Sequence, residues 1–236
     1  TKREMSSSVI ASIVIPTYKE CANLNELITR IFEAIAKEQG PSSSASSSLT
    51  PSNVEVIVVD DNSQDGSEQI VNELGKKYNA RIIVRTLERG LSSAVIRGFE
   101  EAKGQYLMCM DADLQHPPEA VPLMFREIIG GKVEFVLGTR YGSGEMRVDK
   151  NWPAYRRVIS SGARLLARPL TPLSDPMSGF FAITKTAYER AKQNNLDSIG
   201  FKIALELYVK ARIQKHSEVP FAFGVRVHGY SKLSSK

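Results

Sequence analysis

Cysteine is scarce in this sequence of 236 residues, which contains only Cys21 and Cys109. The two are far apart and have no metal-ligand spacing, which excludes a disulfide scaffold and a cysteine-based zinc site and indicates reduced thiols. No apolar run approaches the roughly 20 residues needed to span a bilayer. Nothing apolar precedes Val9 except Met5, so the sequence offers no signal peptide. We therefore expect the chain, as given, to be soluble.

A strong excess of one charge is also missing, since the formal net charge is +5. Lysine and arginine are spread along the chain and do not cluster with aromatic residues on one element, which disfavours a nucleic-acid-binding module. A mildly basic protein also suits anionic lipids or phosphorylated substrates, and charge alone does not choose between them.

Short apolar runs alternate with amphipathic segments through the first half of the sequence. The apolar runs predict strands, and apolar residues three or four apart predict helices. Strands are predicted at Val9–Pro16, Val54–Val59, Arg81–Arg85, Tyr106–Met110 and Phe135–Gly138, and helices at Asn23–Lys37, around Ile70–Leu74, at Leu91–Ala102 and at Pro118–Ile129. This alternation is typical of βαβ units. We therefore predict an α/β fold with a Rossmann-like, mostly parallel sheet flanked by helices in a single domain, residues 1–236.

The remaining segments are less regular. Residues 41–52 are almost all serine, with a proline near each end, and we interpret them as a flexible surface insert. In the second half we predict helices at Ala154–Ala167 and from about Phe201 to Arg212.

Three predicted strands end in polar residues, namely Thr17-Tyr18, Asp60-Asp61 and Asp111. In open α/β sheets ligands bind outside the carboxyl ends of the strands. We therefore expect these residues to share one edge of the sheet and to form the functional site.

Asp111 and Asp113 leave the end of a buried strand. In extended backbone, residues two apart point to the same side, so we expect the two carboxylates to converge. Such a pair needs positive charge, and a divalent cation with oxygen ligands supplies it. Gln115 offers a neutral oxygen, whereas we expect His116 to support the site without binding the ion. The alternative is that the acidic pair caps the helix that follows.

Three segments resemble, in order, the successive motifs of the inverting family-2 glycosyltransferases: Ile15–Glu20, Val59–Gly66 and Met110–Asp113. Four more narrow the resemblance to the dolichyl-phosphate mannose synthases within that family: Asp113–Pro117, Gly138–Tyr141, Asp175–Phe181 and Gly229–Leu233. The resemblance covers nearly the whole chain except the serine-rich insert. It implies a GT-A type fold, with residues 9–138 as the nucleotide-sugar-binding half and residues 139–236 as the acceptor-binding half.

The resemblance also implies roles for individual residues on the donor side. The nucleotide of GDP-mannose would be lined by Pro16, Tyr18 and Glu20, and its base and ribose would contact Val59 and Asp61. The sugar nucleotide would contact Asp111, Ala112 and Asp113, and Mg²⁺ or Mn²⁺ would be held by Asp111, Asp113 and Gln115.

Phosphate groups would be bound by a second set of residues. Donor phosphates would be held by Arg140, Arg226 and Lys232, and the acceptor phosphate by Arg140, Arg156 and Ser160. Arginine's planar fork suits phosphate oxygens. Arg156 and Ser160 are four apart on a predicted helix and hence on one face. Asp111, Asp113 and Arg140 would form the catalytic set.

The implied reaction is the transfer of mannose from GDP-mannose to dolichyl phosphate at the cytosolic face of the endoplasmic reticulum membrane. Its product would supply mannose for N-glycans, O-mannosyl glycans and GPI anchors. The segments Phe180–Ile183 and Gly200–Leu207 resemble the branch that carries a C-terminal membrane helix, so we expect such an anchor to be missing from this chain. The alternative is anchoring by small partner subunits in the membrane.

Two other enzymes remain open as alternatives. A polyprenyl-phosphate glucosyltransferase using UDP-glucose would share most of the motifs, because spacing does not distinguish guanine from uracil. A sugar-phosphate nucleotidyltransferase would also use metal-binding aspartates, but it usually opens with a glycine-rich phosphate loop, and the first strand here ends in Pro16-Thr17-Tyr18.

Overall fold

The elements of the protein were located in a computed structural model, which describes residues 8–38, 49–142, 145–146, 169, 171–197 and 202–224. The strands in these ranges are β1 (Ala11–Thr17), β2 (Val54–Asp60), β3 (Ala80–Val84), β4 (Tyr106–Cys109), β5 (Phe135–Thr139), β6 (Tyr141–Gly142), β7 (Glu145–Met146), β8 (Phe181–Thr184) and β9 (His216–Pro220). The α-helices are α1 (Cys21–Lys37), α2 (Ser67–Leu74), α3 (Leu91–Glu101), α4 (Val121–Ile129), α5 (Lys185–Gln193) and α6 (Ile203–Lys210), and a short 3₁₀ helix (Pro118–Ala120) precedes α4.

Seven of the strands form one sheet in the order β3-β2-β1-β4-β8-β5-β9. The pairs β1–β2, β1–β4, β2–β3 and β5–β9 are parallel, whereas β8 runs antiparallel to both of its neighbours. The predicted mostly parallel α/β sheet is confirmed, with one reversed strand that the sequence patterns did not predict.

The core lies on both faces of this sheet. Alternate residues of β1 point to opposite faces, so Ile13 and Ile15 join the cluster that contains α1 and α4, whereas Val14 joins the cluster that contains α3, α5 and α6. All residues of β1 and β2 are buried, as expected for central parallel strands covered by helices on both sides. Each buried side chain of this size contributes about 1.5–3 kcal/mol relative to exposure.

The reversed strand β8 determines which loops meet at the carboxyl edge of β4. In the antiparallel register Cys109 pairs with Phe181, so the start of β8 lies beside the end of β4. The loop that precedes β8 is thereby placed next to Asp111. On the other side of β8, Leu137 of β5 also pairs with Phe181, so the end of β5 reaches the same edge.

The predicted elements of the first half are observed with small shifts at their ends, except that the predicted helix Pro118–Ile129 is divided into the 3₁₀ helix and α4. The helix predicted near residues 201–212 is α6, and β8, α5 and β9 were not predicted. The predicted helix Ala154–Ala167 lies outside the described residues. Within the described ranges, every helix is too short or too polar to cross a bilayer. Both cysteines are free, as expected.

Only the end of the serine-rich segment is described. Residues 49–52 form a turn that leads into β2, and the Thr50 backbone N–H donates to Asn53 Oδ1 at 2.7 Å. Leu49 packs against the apolar core. Residues 41–48 lie outside the described part of the chain, so the predicted flexibility of the insert stays a prediction.

Glu55 joins three segments at the opposite edge of the sheet, away from the carboxyl ends of the strands. It lies on β2 and is 2% exposed. Its Oε1 accepts hydrogen bonds from Ser12 Oγ at 2.7 Å and from the Lys103 backbone N–H at 2.7 Å. Ser12 Oγ in turn accepts from the Gly104 backbone N–H at 2.9 Å. Glu55 therefore links β1, β2 and the α3–β4 loop.

Replacing Glu55 by methionine should lower the free energy of unfolding by about 2–4 kcal/mol, because the buried Ser12 hydroxyl and the partly buried Lys103 N–H lose their acceptor. Urea denaturation followed by circular dichroism measures this. Glu73→Gln is the control, because the Glu73–Lys76 ion pair is exposed and worth about 0–1 kcal/mol. Equal stability of the Glu55→Met variant and the wild type would contradict the assigned role.

Candidate active site

Asp111 follows the central strand β4 at its carboxyl end. Its backbone N–H donates to His116 Nδ1 at 3.3 Å, and its Oδ2 lies 3.7 Å from the same nitrogen. The Asp111 side chain is 37% exposed, so it remains accessible to a ligand. Asp113, which is 7% exposed, accepts a hydrogen bond from the Gln115 backbone N–H at 3.1 Å.

The two carboxylates lie on a turn and not on an extended segment. Ala112 and Asp113 are turn residues, and Leu114 has a φ of 61° in the left-handed region. The prediction that extended backbone brings the two carboxylates to one side was therefore wrong, because β4 ends at Cys109, before Asp111. A single tight turn carries Asp111, Asp113 and Gln115 instead, and this keeps their oxygen-bearing side chains on one short stretch of backbone.

Gln115 is anchored to a loop from the second half of the chain. Its Nε2 donates to the Gly224 carbonyl at 3.0 Å, and the Gly224 N–H donates to the Gln115 carbonyl at 3.1 Å. The first of these bonds uses the side-chain amide nitrogen of Gln115. The other atom of that amide is therefore the carbonyl oxygen, the kind of group suited to a divalent cation.

Gly179 lies directly against the Asp111 carboxylate. A Cβ at this position would lie 3.0 Å from Asp111 Oδ1 and 3.1 Å from Oδ2, closer than nearly all real contacts of a Cβ atom. The absence of a side chain therefore lets the loop before β8 pack against the turn Asp111–Gln115, hereafter the acidic turn. The segment Asp175–Phe181 was recognised as a motif in the sequence, but the role of Gly179 was not predicted.

His116 is buried behind the acidic turn and is 2% exposed. Its ring stacks on Phe180 with a centroid distance of 5.1 Å, and the edges of Phe221 and Phe223 approach it at 5.5 and 5.7 Å. This aromatic packing, together with the hydrogen bond from Asp111, holds His116 behind the turn that carries Asp111 and Asp113. Its expected role in supporting the site without binding the ion stays a prediction.

Arg140 follows β5 and forms a buried, bidentate ion pair with Asp175. Its Nε and Nη2 each donate to a carboxylate oxygen at 2.7 Å, and both residues are less than a tenth exposed. Burial by itself lowers the pKa of Arg140. The hydrogen bonds and the negative charge of Asp175 outweigh burial, and Tyr141 and Asp111 contribute less, so the pKa of Arg140 is raised. Arg140 therefore stays charged close to Asp111, while two of its nitrogens are committed to Asp175.

The predicted donor side begins at the neighbouring ends of β1 and β2. The Lys19 backbone N–H donates to Ser63 Oγ at 2.8 Å, and the Ser63 hydroxyl and N–H both donate to Asp60. Asp65 accepts hydrogen bonds from two backbone N–H groups, that of Cys21 at the start of α1 at 3.2 Å and that of Ser67 at the start of α2 at 3.1 Å. The loop after β1, which carries Tyr18 and Glu20, is thus tied to the loop after β2.

Asp61 is held by a third loop, the one between β3 and α3. Arg85 Nε donates to Asp61 Oδ1 at 2.7 Å, Arg85 Nη2 donates to the same oxygen, and the Gly90 N–H donates to Oδ2 at 2.8 Å. Both Asp61 and Arg85 are 8% exposed. Neither Arg85 nor Gly90 was predicted as a site residue, since nothing in a single sequence pairs an arginine with an aspartate 24 positions earlier.

Backbone strain is concentrated at this edge of the sheet. Six described non-glycine residues have positive φ, and four of them lie in the loops after β1, β2 and β4: Lys19, Asn62, Gln64 and Leu114. Left-handed conformations of such residues cost energy and often occur where function requires them.

The structure brings together several of the predicted site residues and leaves others undetermined. Asp111, Asp113, Gln115 and Arg140 meet at the end of β4, and Asp61 lies at the end of β2, one strand beyond β1. Val59 has no exposed surface and belongs to the apolar core. Among the described residues, no three His, Cys, Asp or Glu side chains form a metal-binding group. Arg156, Ser160, Arg226 and Lys232 lie outside the described residues.

Comparison with known proteins shows the family to which this chain belongs. The model of the family "Glycosyl transferase family 2" matches residues 12–191. A dolichol-phosphate mannosyltransferase of Mycosarcoma maydis is 55% identical over 234 residues, which cover 98% of this chain and 76% of the relative. Another, of Saccharomyces cerevisiae, is 52% identical over 235 residues, covering 97% of this chain and 83% of the relative. The chain belongs to the dolichol-phosphate mannosyltransferases of glycosyl transferase family 2.

This mannosyltransferase family member also has the expected GT-A type fold. A solved structure of glucosyl-3-phosphoglycerate synthase from Mycobacterium tuberculosis, in complex with Mn²⁺, UDP and phosphoglyceric acid, matches with a TM-score of 0.65 and 20% identity. The match covers 95% of this chain and 72% of that one. At this low identity the comparison supports the fold alone.

In this glycosyltransferase, replacing Asp175 by asparagine should destabilise the folded state by about 3–5 kcal/mol, because a buried guanidinium loses its carboxylate. Thermal and urea unfolding measure the change. Glu119→Gln is the matched control, since Glu119 makes the same bidentate contact with Arg30 but is 58% exposed, and we expect a loss of at most about 1 kcal/mol there. Equal losses in the two variants would contradict a buried Arg140–Asp175 pair.

Proposed function

We propose that this protein transfers mannose from GDP-mannose to dolichyl phosphate with inversion, giving dolichyl β-D-mannosyl phosphate. The observation that carries the proposal is the acidic turn Asp111–Gln115 at the carboxyl end of the central strand, in a chain 55% identical to a dolichol-phosphate mannosyltransferase. The names of the relatives favour this reaction over the alternative, a polyprenyl-phosphate glucosyltransferase using UDP-glucose.

The donor is placed across the ends of β1, β2 and β4. Pro16, Tyr18 and Glu20 line its nucleotide, and Asp61 contacts its ribose or base. The support for this placement is a set of hydrogen bonds that ties the loop after β1 to the loop after β2 and holds Asp61 to the β3–α3 loop. These bonds fix the loops that carry Tyr18 and Asp61 at adjacent strand ends. Val59 is better assigned to supporting Asp61 from within the core, because it has no exposed surface.

A divalent cation fits the oxygen ligands that the acidic turn offers. Two carboxylates and one amide oxygen are hard ligands, and Mg²⁺ and Mn²⁺ both favour a few protein oxygens completed by substrate phosphate and water. Asp111, Asp113 and Gln115 would hold it. Held there, a divalent cation would supply positive charge to the diphosphate of the leaving group. The Mn²⁺ in the glucosyl-3-phosphoglycerate synthase complex belongs to a protein of the same fold.

The reaction needs positioning more than proton transfer. An oxygen of the dolichyl phosphate forms a bond to the anomeric carbon of mannose, while the bond from that carbon to the diphosphate oxygen breaks and GDP leaves with the electron pair. A phosphate monoester is already largely ionised near neutral pH, with a second pKa of about 6, so no strong general base is required. Arg140, together with Arg156 and Ser160, would orient the acceptor phosphate, and Arg226 and Lys232 would bind donor phosphates.

The lipid acceptor places the reaction at a membrane. We propose the cytosolic face of the endoplasmic reticulum, where GDP-mannose and dolichyl phosphate meet. Attachment would come from a C-terminal membrane helix or from small membrane partner subunits. No interaction with nucleic acid is part of this proposal.

Replacing Asp111 or Asp113 by asparagine should lower kcat for mannose transfer by at least about 100-fold, because the isosteric amide removes a charged ligand from the diphosphate site. Transfer from radiolabelled GDP-mannose to dolichyl phosphate in detergent measures this. Glu127→Gln, an exposed carboxylate on α4, is the control and should retain full activity. Near-normal turnover of the folded Asp113→Asn variant would overturn the site assignment.

A further inference from the structure

Arg89 lies at the entrance to the proposed donor site, in the loop between β3 and α3. Its side chain is exposed, and its guanidinium carbon lies 5.3 Å from the centroid of the Tyr18 ring. This distance is within the range of a cation–π contact. Tyr18 therefore has Arg89 beside it at the place where the nucleotide is proposed to bind.

The backbone next to Arg89 is fixed against Asp61. Gly90 has a φ of 142°, a conformation that glycine adopts without strain, and this lets its N–H donate to Asp61 Oδ2 at 2.8 Å. The Gly90 carbonyl accepts from Arg85 Nη2 at 3.0 Å. The residue that follows Arg89 is thus bonded to Asp61, and the Arg89 side chain lies beside Tyr18. Tyr18 and Asp61 are the two residues proposed to contact the nucleoside.

The guanidinium N–H groups of Arg89 remain available to a ligand. Within the described part of the chain, Arg89 makes no ion pair with a carboxylate. A second cation, Lys19 Nζ, lies 5.5 Å from the centroid of the same Tyr18 ring. Two cations around one ring repel each other, so a ligand that offers hydrogen-bond acceptors or negative charge stabilises the arrangement.

Guanine offers a pair of acceptors that matches this guanidinium. Its O6 and N7 lie side by side and accept two parallel hydrogen bonds from arginine, the commonest specific contact to this base. Uracil has no second acceptor beside its O4 on that edge. We infer that Arg89 is a specificity-determining residue that recognises the O6 and N7 edge of guanine, with Tyr18 as its platform. The inference rests on the proposed function, since it assumes that GDP-mannose is the donor.

Isothermal titration calorimetry with Mn²⁺ present tests this with GDP, UDP and 7-deaza-GDP, an analogue that lacks the N7 acceptor. For the wild type we expect 7-deaza-GDP to bind about tenfold more weakly than GDP, the effect of losing one hydrogen bond. Arg89→Ala should weaken GDP binding by about 10- to 100-fold, leave UDP binding unchanged and abolish the difference between GDP and 7-deaza-GDP. Arg97→Ala is the control, because Arg97 is exposed on α3 and pairs with Glu101.

The contrary outcomes are separable. If Arg89→Ala weakens GDP and UDP equally, Arg89 acts on the diphosphate and the inference is overturned while the donor assignment stands. The same conclusion follows if the variant keeps its preference for GDP over 7-deaza-GDP. If the wild type binds UDP and not GDP, the proposed donor itself is wrong, and the role of Arg89 fails with it. The melting temperature of each variant shows whether a loss of binding reflects a loss of folding.

Discussion

Strand β8 runs against both of its neighbours, and this reversal determines which parts of the chain meet at the active site. A parallel strand in that position would begin at the far edge of the sheet and deliver its preceding loop there. Because β8 is reversed, Phe181 pairs with Cys109, and the loop that carries Asp175 and Gly179 lies against Asp111. The ion pair between Arg140 and Asp175 then joins the end of β5 to the same loop.

The site therefore depends on contacts between the two halves of the chain. Gly179 leaves room for the Asp111 carboxylate, and the Gly224 backbone holds the Gln115 amide. His116 is packed among Phe180, Phe221 and Phe223, all from the second half. The acidic turn belongs to the first half of the sequence, but its shape is maintained by residues of the second half.

The donor side is organised differently, by hydrogen bonds between neighbouring βα loops. Asp60, Ser63 and Asp65 tie the loop after β1 to the loop after β2, and Arg85 and Gly90 hold Asp61. Positive φ values at Lys19, Asn62 and Gln64 are tolerated because these bonds fix the backbone around them. Such a preformed edge suits recognition of a nucleotide, because little ordering is needed when it binds.

Much of the fold followed from local patterns, whereas the contacts of the site did not. The buried strand Val54–Asp60 is apolar apart from Glu55 and ends in an acid, and α1 has a clear apolar face, so both were predictable. Strand β9 was missed because His216–Pro220 is a half-buried edge strand without an apolar pattern. The 35-residue separation of Arg140 and Asp175 leaves no local signal at all. Motif resemblance named Asp111, Asp113 and Arg140, but the roles of Gly179, Arg85 and Arg89 required the tertiary structure.

We propose above all that the chain makes a β-linked mannosyl phosphate on a polyprenyl lipid. The most direct measurement is to incubate the protein with GDP-mannose, dolichyl phosphate and Mn²⁺ and to determine the anomeric configuration of the lipid product by NMR. We expect a β-mannosyl phosphate formed from GDP-mannose, and no glucosyl lipid when UDP-glucose is supplied instead. An α-linked product, or a glucosyl lipid formed from UDP-glucose in place of the mannosyl lipid, would contradict it.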